Sequence, residues 1–299
     1  MSSEAAFLPS LGIPAPVIRV FVDPQNPVGG NPAPVWLAAE SMTDSLMQAL
    51  ARASGHESVF VLPAHDKVHR WRMRYFVPQH EMEMCGHATL AALWLLYQRG
   101  AWDGSPVAIQ TLSGTVQGRM SATGVEISQP RASIQAVSDV AVAAIAQCLG
   151  ITVAQIIGPV LNASTSRVKT LIRVDSEDTL HTLRLIEDQV RPLCDRLEST
   201  GLYPYTLRKG ADVSARQFPR SSGYVEDPAT GIAAAALAWG LRAQGLVAED
   251  ATIVQVHQGE AMGSPSLINV RLPACSDLRA PCWLGGLAAA VAPTSHTRQ

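Results

Sequence analysis

Apolar positions along the chain recur with a strand's period in many short runs and with a helix's period in only a few. Pro16 to Val22 and Ala33 to Leu37 read as strands, joined by the turn-rich segment Asp23-Pro24-Gln25-Asn26-Pro27-Val28-Gly29-Gly30-Asn31-Pro32. Thr43 to Ala53 spaces its leucines as a helix does, with Ser41 or Thr43 as cap. The run Val59-Phe60-Val61-Leu62 has no polar face, and Arg70 to Tyr75 alternates strictly, so its arginines are expected to form one solvated face. Strands follow near Val107–Leu112, Thr115–Met120 and Val125–Ser128, and Gln129-Pro130 marks a boundary. Beyond it the pattern predicts helices over Asp139–Leu149, Glu177–Glu187 and Val190–Leu197. It predicts strands near Val160, Val168–Val174, Tyr203–Leu207, Ala215–Phe218, Thr252–His257, Leu267–Arg271 and Leu284–Val291. Only the tail Pro293–Gln299 is expected to be loose.

Two helical stretches are apolar nearly all round, from about His87 to Arg99 and from Ile232 to about Gln244, each stopped by a glycine. They are related by an offset of 145 residues, which carries Gly86 to Gly231, Trp94 to Trp239, Gly100 to Gly245, Gly114 to Gly259 and Gly118 to Gly263. Such recurrence reads as a duplication. The predicted organisation is a first half over 1–128 with central helix 87–99 and a second over 129–283 with central helix 232–244. The segment 284–299 holds a last strand that returns to the first half. Strands dominate with one apolar helix per half, so each half is expected to be an α+β unit, a curled sheet wrapped around its helix.

Composition changes little in that picture and excludes much. Hydrophobic residues make up 47% and charged residues 16%, the balance of a globular soluble protein. A formal net charge of −2 without any block of like charge gives no reason to expect nucleic acid or an anionic membrane as partner. Five cysteines without CxxC spacing fit a reducing cytoplasm and no structural zinc. Residues 1–14 carry Glu4 and no basic run, so no signal peptide is expected, and no apolar run is long enough to span a bilayer.

The candidate chemistry lies where loops meet the two apolar helices. The first amides of a helix have no partner inside it, and its dipole makes that end positive, so the starts at Gly86 and Gly231 suit a carboxylate. Glu57, His87 and Asp227 are the titratable groups at such loops, and a neutral His87 can exchange protons with a neighbouring acid. Cys85 stands at a helix N-terminus, where a thiol gains thiolate character. Each also has a plain structural reading, as a satisfied hydrogen bond or a small buried side chain. No metal is expected, since His56-Glu57 lacks the second histidine of a helical zinc motif. No dinucleotide fingerprint, P-loop or GxSxG is present, so no cofactor and no elbow serine is expected.

Gly30-Asn31-Pro32, Glu57-Ser58, Phe76-Val77-Pro78 with Glu81 and Gly86-His87, Gly223 with Glu226-Asp227-Pro228-Ala229-Thr230-Gly231, and Gln258-Gly259 with Met262-Gly263 appear in that order across nearly the whole chain. Together they resemble the phenazine-biosynthesis PhzF-like family of the diaminopimelate-epimerase-like superfamily. The resemblance implies two pseudo-symmetric halves, each a β-barrel-like sheet around a central helix, with the site in the cleft between them, and a homodimer. It implies cofactor-independent proton transfer at carbon, with Glu57 as general acid/base and His87 and Asp227 in support. Cys85, Gly86, Thr230, Gly231 and Ile232 are then substrate-binding positions. Two departures stand out. Ile232 replaces the serine that family usually has after Thr-Gly, and Gly263-Ser264-Pro265 lacks the arginine often found before the proline. Racemases of the wider superfamily keep a thiol at the position of Cys85, and their second thiol corresponds roughly to Pro228. The expected function is isomerisation of a small carboxylate-bearing substrate. The alternatives are an amino-acid epimerase or racemase using Cys85, and an inactive binding protein of the same fold.

Overall fold

The computed structural model describes residues 15–291 except Ala211 and Ser276, so residues 1–14 and the tail expected to be loose lie outside the described residues. The chain forms two compact units. The first takes the described residues up to Pro24, Asn31–Ile127 and the described residues from Gly286 on; the second takes Gln25–Gly30 and Ser128–Gly285.

In the first unit β1 (Val17–Val20) pairs antiparallel with β2 (Asn31–Trp36), and β2 runs parallel to β3 (Ser58–Pro63) across helix α1 (Asp44–Ser54). Strand β3 pairs antiparallel with β4 (Trp71–Phe76), on which the two-residue β5 (Glu81–Met82) folds back. Helix α2 (Gly86–Gln98) leads to β6 (Val107–Thr111), which is parallel to β4. Strands β7 (Gly114–Ser121) and β8 (Gly124–Ser128) continue as a meander.

The second unit repeats this order. After β9 (Ser133–Ala136) and α3 (Val142–Leu149), β10 (Leu161–Ser164) pairs antiparallel with both β9 and β11 (Lys169–Arg173). Helices α4 (Glu177–His181) and α5 (Glu187–Arg196) cross to β12 (Gly201–Leu207), which is parallel to β11. Then come β13 (Asp212–Ala215), antiparallel to β12, the short β14 (Phe218–Pro219) and α6 (Gly231–Ala243). Strand β15 (Ile253–Gln258) runs parallel to β13, and β16 (Ser266–Arg271) and β17 (Trp283–Gly286) form the closing meander. Finally β18 (Ala288–Ala290) pairs antiparallel with β1, as β9 does with β10. The fold is of the expected α+β class, with most strand pairings built twice, each time around a central helix; one differs, since β5 pairs with β4 but β14 with β12.

Packing explains why the two central helices lack a polar face. Nine residues of α2, from His87 to Leu96, are buried, and α2 lies on β1, β2, β3 and β18. Helix α6 is buried from Ala233 to Arg242 and lies on β10, β11 and β16. A helix enclosed on all sides is apolar on all sides. Small side chains let it approach closely: a Cβ at Gly240 would meet Leu171 Cδ1 at 2.6 Å, and one at Gly118 would meet Leu93 Cδ1 at 2.6 Å. On the outer face of the first sheet, Met47, Leu50 and Ala51 of α1 cover Trp36, Phe60 and Phe76, with Trp36 stacked on Phe60 at 4.7 Å. From Val59 to Leu62 strand β3 is buried throughout, which is why that run has no polar positions.

Several expectations are corrected. The helix expected over Glu177–Glu187 ends at His181, because Arg184 and Ile186 donate their amides to the carbonyls of Leu149 and Cys148 and so tie that segment to the end of α3. The last strand is two strands, β17 and β18, divided at Leu287, whose carbonyl accepts from Val22 N at 3.1 Å. The arginines of β4 are not one solvated face: Arg74 is mostly enclosed and binds Glu81 through both oxygens at 2.7 Å, with Asp44 at 2.6 Å. Of the glycine pairs, Gly100 and Gly245 both follow their helices with φ of 67° and 68°, but Gly118 lies inside β7 while Gly263 closes a turn at φ 70°. Both central helices begin one residue earlier than expected, at the glycines themselves.

Candidate active site

In the first unit, the glycine closing α1 also presents Glu57. Gly55 ends the helix at φ 70°, a conformation that needs no Cβ, and turns the chain toward β3. Ser54 and Ser58 lock that turn: Ser54 Oγ accepts from His56 N at 3.2 Å, and Ser58 Oγ donates to His56 O at 3.0 Å. Glu57 is held between them and keeps 32% of its side chain exposed.

The start of α2 supplies its partners. Cys85 is the extended residue before the helix, and Thr89 Oγ1 donates to its carbonyl at 2.7 Å while sharing a 2.7 Å hydrogen bond with Tyr75 Oη. Tyr75 is fully buried, and that burial pushes its hydroxyl well above the ordinary range, so it stays neutral. The Cys85 thiol donates to Glu57 Oε2 at 3.1 Å and lies 3.4 Å from His87 Nδ1, which is itself 3.4 Å from Glu57 Oε2. Cys85 and His87 are buried, at 5% and 9% exposure. An oxygen, a sulfur and a nitrogen thus share one proton-bearing cluster at a positive helix end, with the carboxylate as its most exposed member. His87 Nε2 is buried and makes no hydrogen bond among the described residues. These three ligating atoms, all within 4.8 Å of one another, are also a set able to hold a soft divalent ion.

In the second unit the Asp227 loop is built as tightly. Asp227 N donates to Gln217 O at 3.0 Å, Thr230 Oγ1 donates to Asp227 Oδ2, and Gln258 Nε2 donates to Asp227 O at 2.6 Å. Gln258 Oε1 accepts from Tyr203 Oη at 2.8 Å and from Thr230 N at 3.3 Å. Gly259, at φ 81°, leaves no space for a side chain, since a Cβ would stand 2.2 Å from Ser264 O and 2.7 Å from Pro228 O. Thr230 is the residue before α6, Gly231 its first and Ile232 its second, half-buried. The equivalences follow from the repeat: Cys85, the residue before α2, corresponds to Thr230, the residue before α6, and His87 to Ile232. Neither position in the second unit carries a thiol or an imidazole.

The expected site residues therefore form two groups. Glu57, Cys85, Gly86 and His87 meet in one unit, and Asp227, Thr230, Gly231 and Ile232 in the other. Sequence reading assigned no role to Gln258, which organises the second group; its only signal was a place beside Gly259.

The sequence profile of a family described as phenazine biosynthesis-like protein matches residues 19–292. A Deinococcus radiodurans protein named as an uncharacterized isomerase is 30% identical over 274 residues, covering 88% of both chains. A crystal structure titled as a Bacillus anthracis phenazine biosynthesis protein of the PhzF family has the same fold, with a TM-score of 0.82, 22% identity and coverage of 93% of this chain and 96% of that one. A predicted epimerase from Pseudomonas aeruginosa follows with a TM-score of 0.76, 26% identity and coverage of 95% and 100%.

Proposed function

The chain belongs to the phenazine biosynthesis-like protein family and is an isomerase, and we propose that it moves a proton between carbons of a small carboxylate-bearing substrate without a cofactor. The observation that carries the proposal is the contact of Glu57 Oε2 with Cys85 Sγ and His87 Nδ1. The Glu57 carboxylate takes a proton from one carbon as the electron pair left behind enters a neighbouring π-system, and returns it at another carbon. The thiol and imidazole hold Glu57 in place. The unpaired amides at the start of α2 favour the negative charge that develops. Asp227, oriented by Thr230 and Gln258, is the supporting acid; its part rests on the family resemblance together with this local order.

The decisive test is incorporation of solvent deuterium into substrate, followed by NMR. Glu57→Gln should lower exchange by about 10²–10⁴-fold, the usual contribution of a positioned acid–base group. Exchange at the wild-type rate in that variant refutes the assignment.

One observation favours a second reading, epimerisation through Cys85: its thiol lies at a helix N-terminus within hydrogen-bond reach of a carboxylate. The threonine at its counterpart position in the second unit weighs against a two-thiol mechanism. The proposal includes a homodimer, on the resemblance alone, and light scattering in solution checks it. A reducing cytoplasmic setting is part of the same reading, supported by five free cysteines.

A further inference from the structure

Glu57, Cys85 and His87 are also arranged as three corners of a coordination tetrahedron. Cys85 Sγ lies 3.1 Å from Glu57 Oε2 and 3.4 Å from His87 Nδ1, and His87 Nδ1 lies 3.4 Å from Glu57 Oε2. A tetrahedral zinc ion, with bonds of about 2.0 Å to nitrogen and oxygen and about 2.3 Å to sulfur, holds its ligand atoms about 3.3–3.6 Å apart. Only the sulfur–oxygen contact has to widen, and the thiol proton that now lies in it is the one a metal ion displaces. Among the described residues this is the only set of three or more histidine, cysteine, aspartate or glutamate side chains whose ligand atoms come this close. The counterpart positions at the start of α6 carry Thr230 and Ile232, so the repeat offers no second copy.

The donors select the ion. One thiolate, one imidazole and one carboxylate suit zinc and its heavier relative cadmium, whereas magnesium and calcium take shells of oxygen. The deprotonated set carries two negative charges, which a divalent cation neutralises. Two of the ligands are held in place by hydrogen bonds outside the cluster. The Cys85 carbonyl accepts from Thr89 Oγ1 at 2.7 Å, and Ser54 and Ser58 fix the turn that presents Glu57. Cys85 and His87 are buried while Glu57 keeps 32% of its side chain exposed, so an ion enters and leaves on the carboxylate side. His87 Nε2 has no hydrogen-bond partner among the described residues. The imidazole therefore lacks the outer acceptor that usually tightens a ligating histidine, a loss of about 10–100-fold in affinity. Such a site exchanges its ion rather than keeping it. Glu57 and Cys85 stand 28 residues apart, one before β3 and the other before α2, so no helical zinc motif marks the set in the sequence.

We propose that Glu57, Cys85 and His87 bind a zinc ion reversibly and that the bound ion switches the proton-transfer cluster off. On binding, the Cys85 S–H bond breaks and its proton goes to solvent. Sγ, Nδ1 and Oε2 each give a lone pair to zinc, and no electron changes hands. The lone pair with which Glu57 takes a proton from carbon is then committed to the metal. The switch rests on the isomerase reading; the metal site rests on the geometry alone.

Calorimetric titration with zinc of the full chain carrying Cys275→Ser, free of thiol reductant, tests the site; that substitution removes the exposed thiol and leaves the four buried ones. One equivalent should bind with a dissociation constant of about 1 μM or below, and magnesium should not compete. Cobalt(II) in place of zinc should give the visible bands of a four-coordinate ion and a sulfur-to-metal charge-transfer band in the near ultraviolet. Cys85→Ser should remove that band, and both Cys85→Ser and His87→Gln should weaken zinc by about tenfold or more, with the fold followed by circular dichroism. Deuterium exchange into dihydro-hydroxyanthranilate should stop at one equivalent of zinc and return when a chelator removes it. The proposal is overturned if zinc does not bind, if both folded variants bind it as tightly as the parent chain, or if exchange continues with zinc bound. Zinc bound with the sulfur signature by a chain that exchanges nothing when metal-free would remove the switch and the isomerase reading and leave the metal site standing. Exchange by a chain that takes up no zinc would do the reverse.

Discussion

Lys169→Met should stabilise this protein near neutral pH, an unusual direction for a substitution in a core. Burial holds the Lys169 ammonium down to about 8 against an ordinary value of 10.5, with Asp227 opposing that effect only in part. At 1.36 kcal/mol per pH unit the difference amounts to about 3 kcal/mol. The sign follows from proton binding. The folded-state value lies below the unfolded one, so between pH 8 and 10.5 the unfolded chain holds more protons and stability rises with pH. Below that window both states are protonated and the whole penalty applies; above it neither is charged and the penalty is gone. Methionine carries no charge to desolvate, and its chain is unbranched like that of lysine. The variant should therefore gain about 3 kcal/mol at pH 7 and lose most of that advantage by about pH 10.5. Urea denaturation across this range, compared between wild type and variant at equal slope, measures the difference directly. A variant less stable than wild type at pH 7, or a difference that does not change with pH, refutes the burial argument.

Three further outcomes are expected. Cys85→Ala removes the thiol that donates to Glu57 at 3.1 Å but leaves the base, so deuterium exchange should fall by about tenfold rather than vanish; complete loss with an intact fold would move the chemistry to the thiol. Gly201→Ala puts a methyl group 2.2 Å from Gln217 Nε2 and 2.9 Å from Phe218 O, and should lower unfolding free energy by about 1–3 kcal/mol; an unchanged urea midpoint would mean that the two side chains yield without strain. Ile232→Ser gives the second residue of α6 a hydroxyl in a half-buried place, and should improve turnover of dihydro-hydroxyanthranilate, the polar ring acid that the family resemblance implies, relative to less polar acids, by the roughly 1–3 kcal/mol that an unmade buried hydrogen bond costs. High wild-type activity on that substrate, unaltered by the serine, would show Ile232 to be silent.

The sequence by itself determined the elements whose local causes are strong. Helix α1 was legible from its leucine spacing and from a cap at Ser41 or Thr43, of which the structure uses Thr43, and α2 and α6 from unbroken apolar runs that begin and end at glycines. The duplication was legible because the repeat preserves the residues that closely packed backbone demands, as at Gly100 and Gly245. Glu57, Cys85 and His87 could be named as candidates because each stands beside a helix terminus, whose electrostatics are local. That the three side chains meet was decided by the strand between them: β3 carries Glu57 away from α1, and β4 with its return brings Cys85 back 28 residues later. Tertiary structure also ended the helix expected past His181, because bonds to the end of α3 satisfied amides that a longer helix would have used. Lys169 was hidden for the same physical reason. A lysine at the edge of a strand looks solvated from its neighbours in sequence, and only β12 and the Gln217 segment, 32 and 48 residues further on, close over it and strip its water away. Hydrogen bonds and hydrophobic periodicity within a turn or two are written in adjacent residues, whereas desolvation depends on what the chain later brings to the same place.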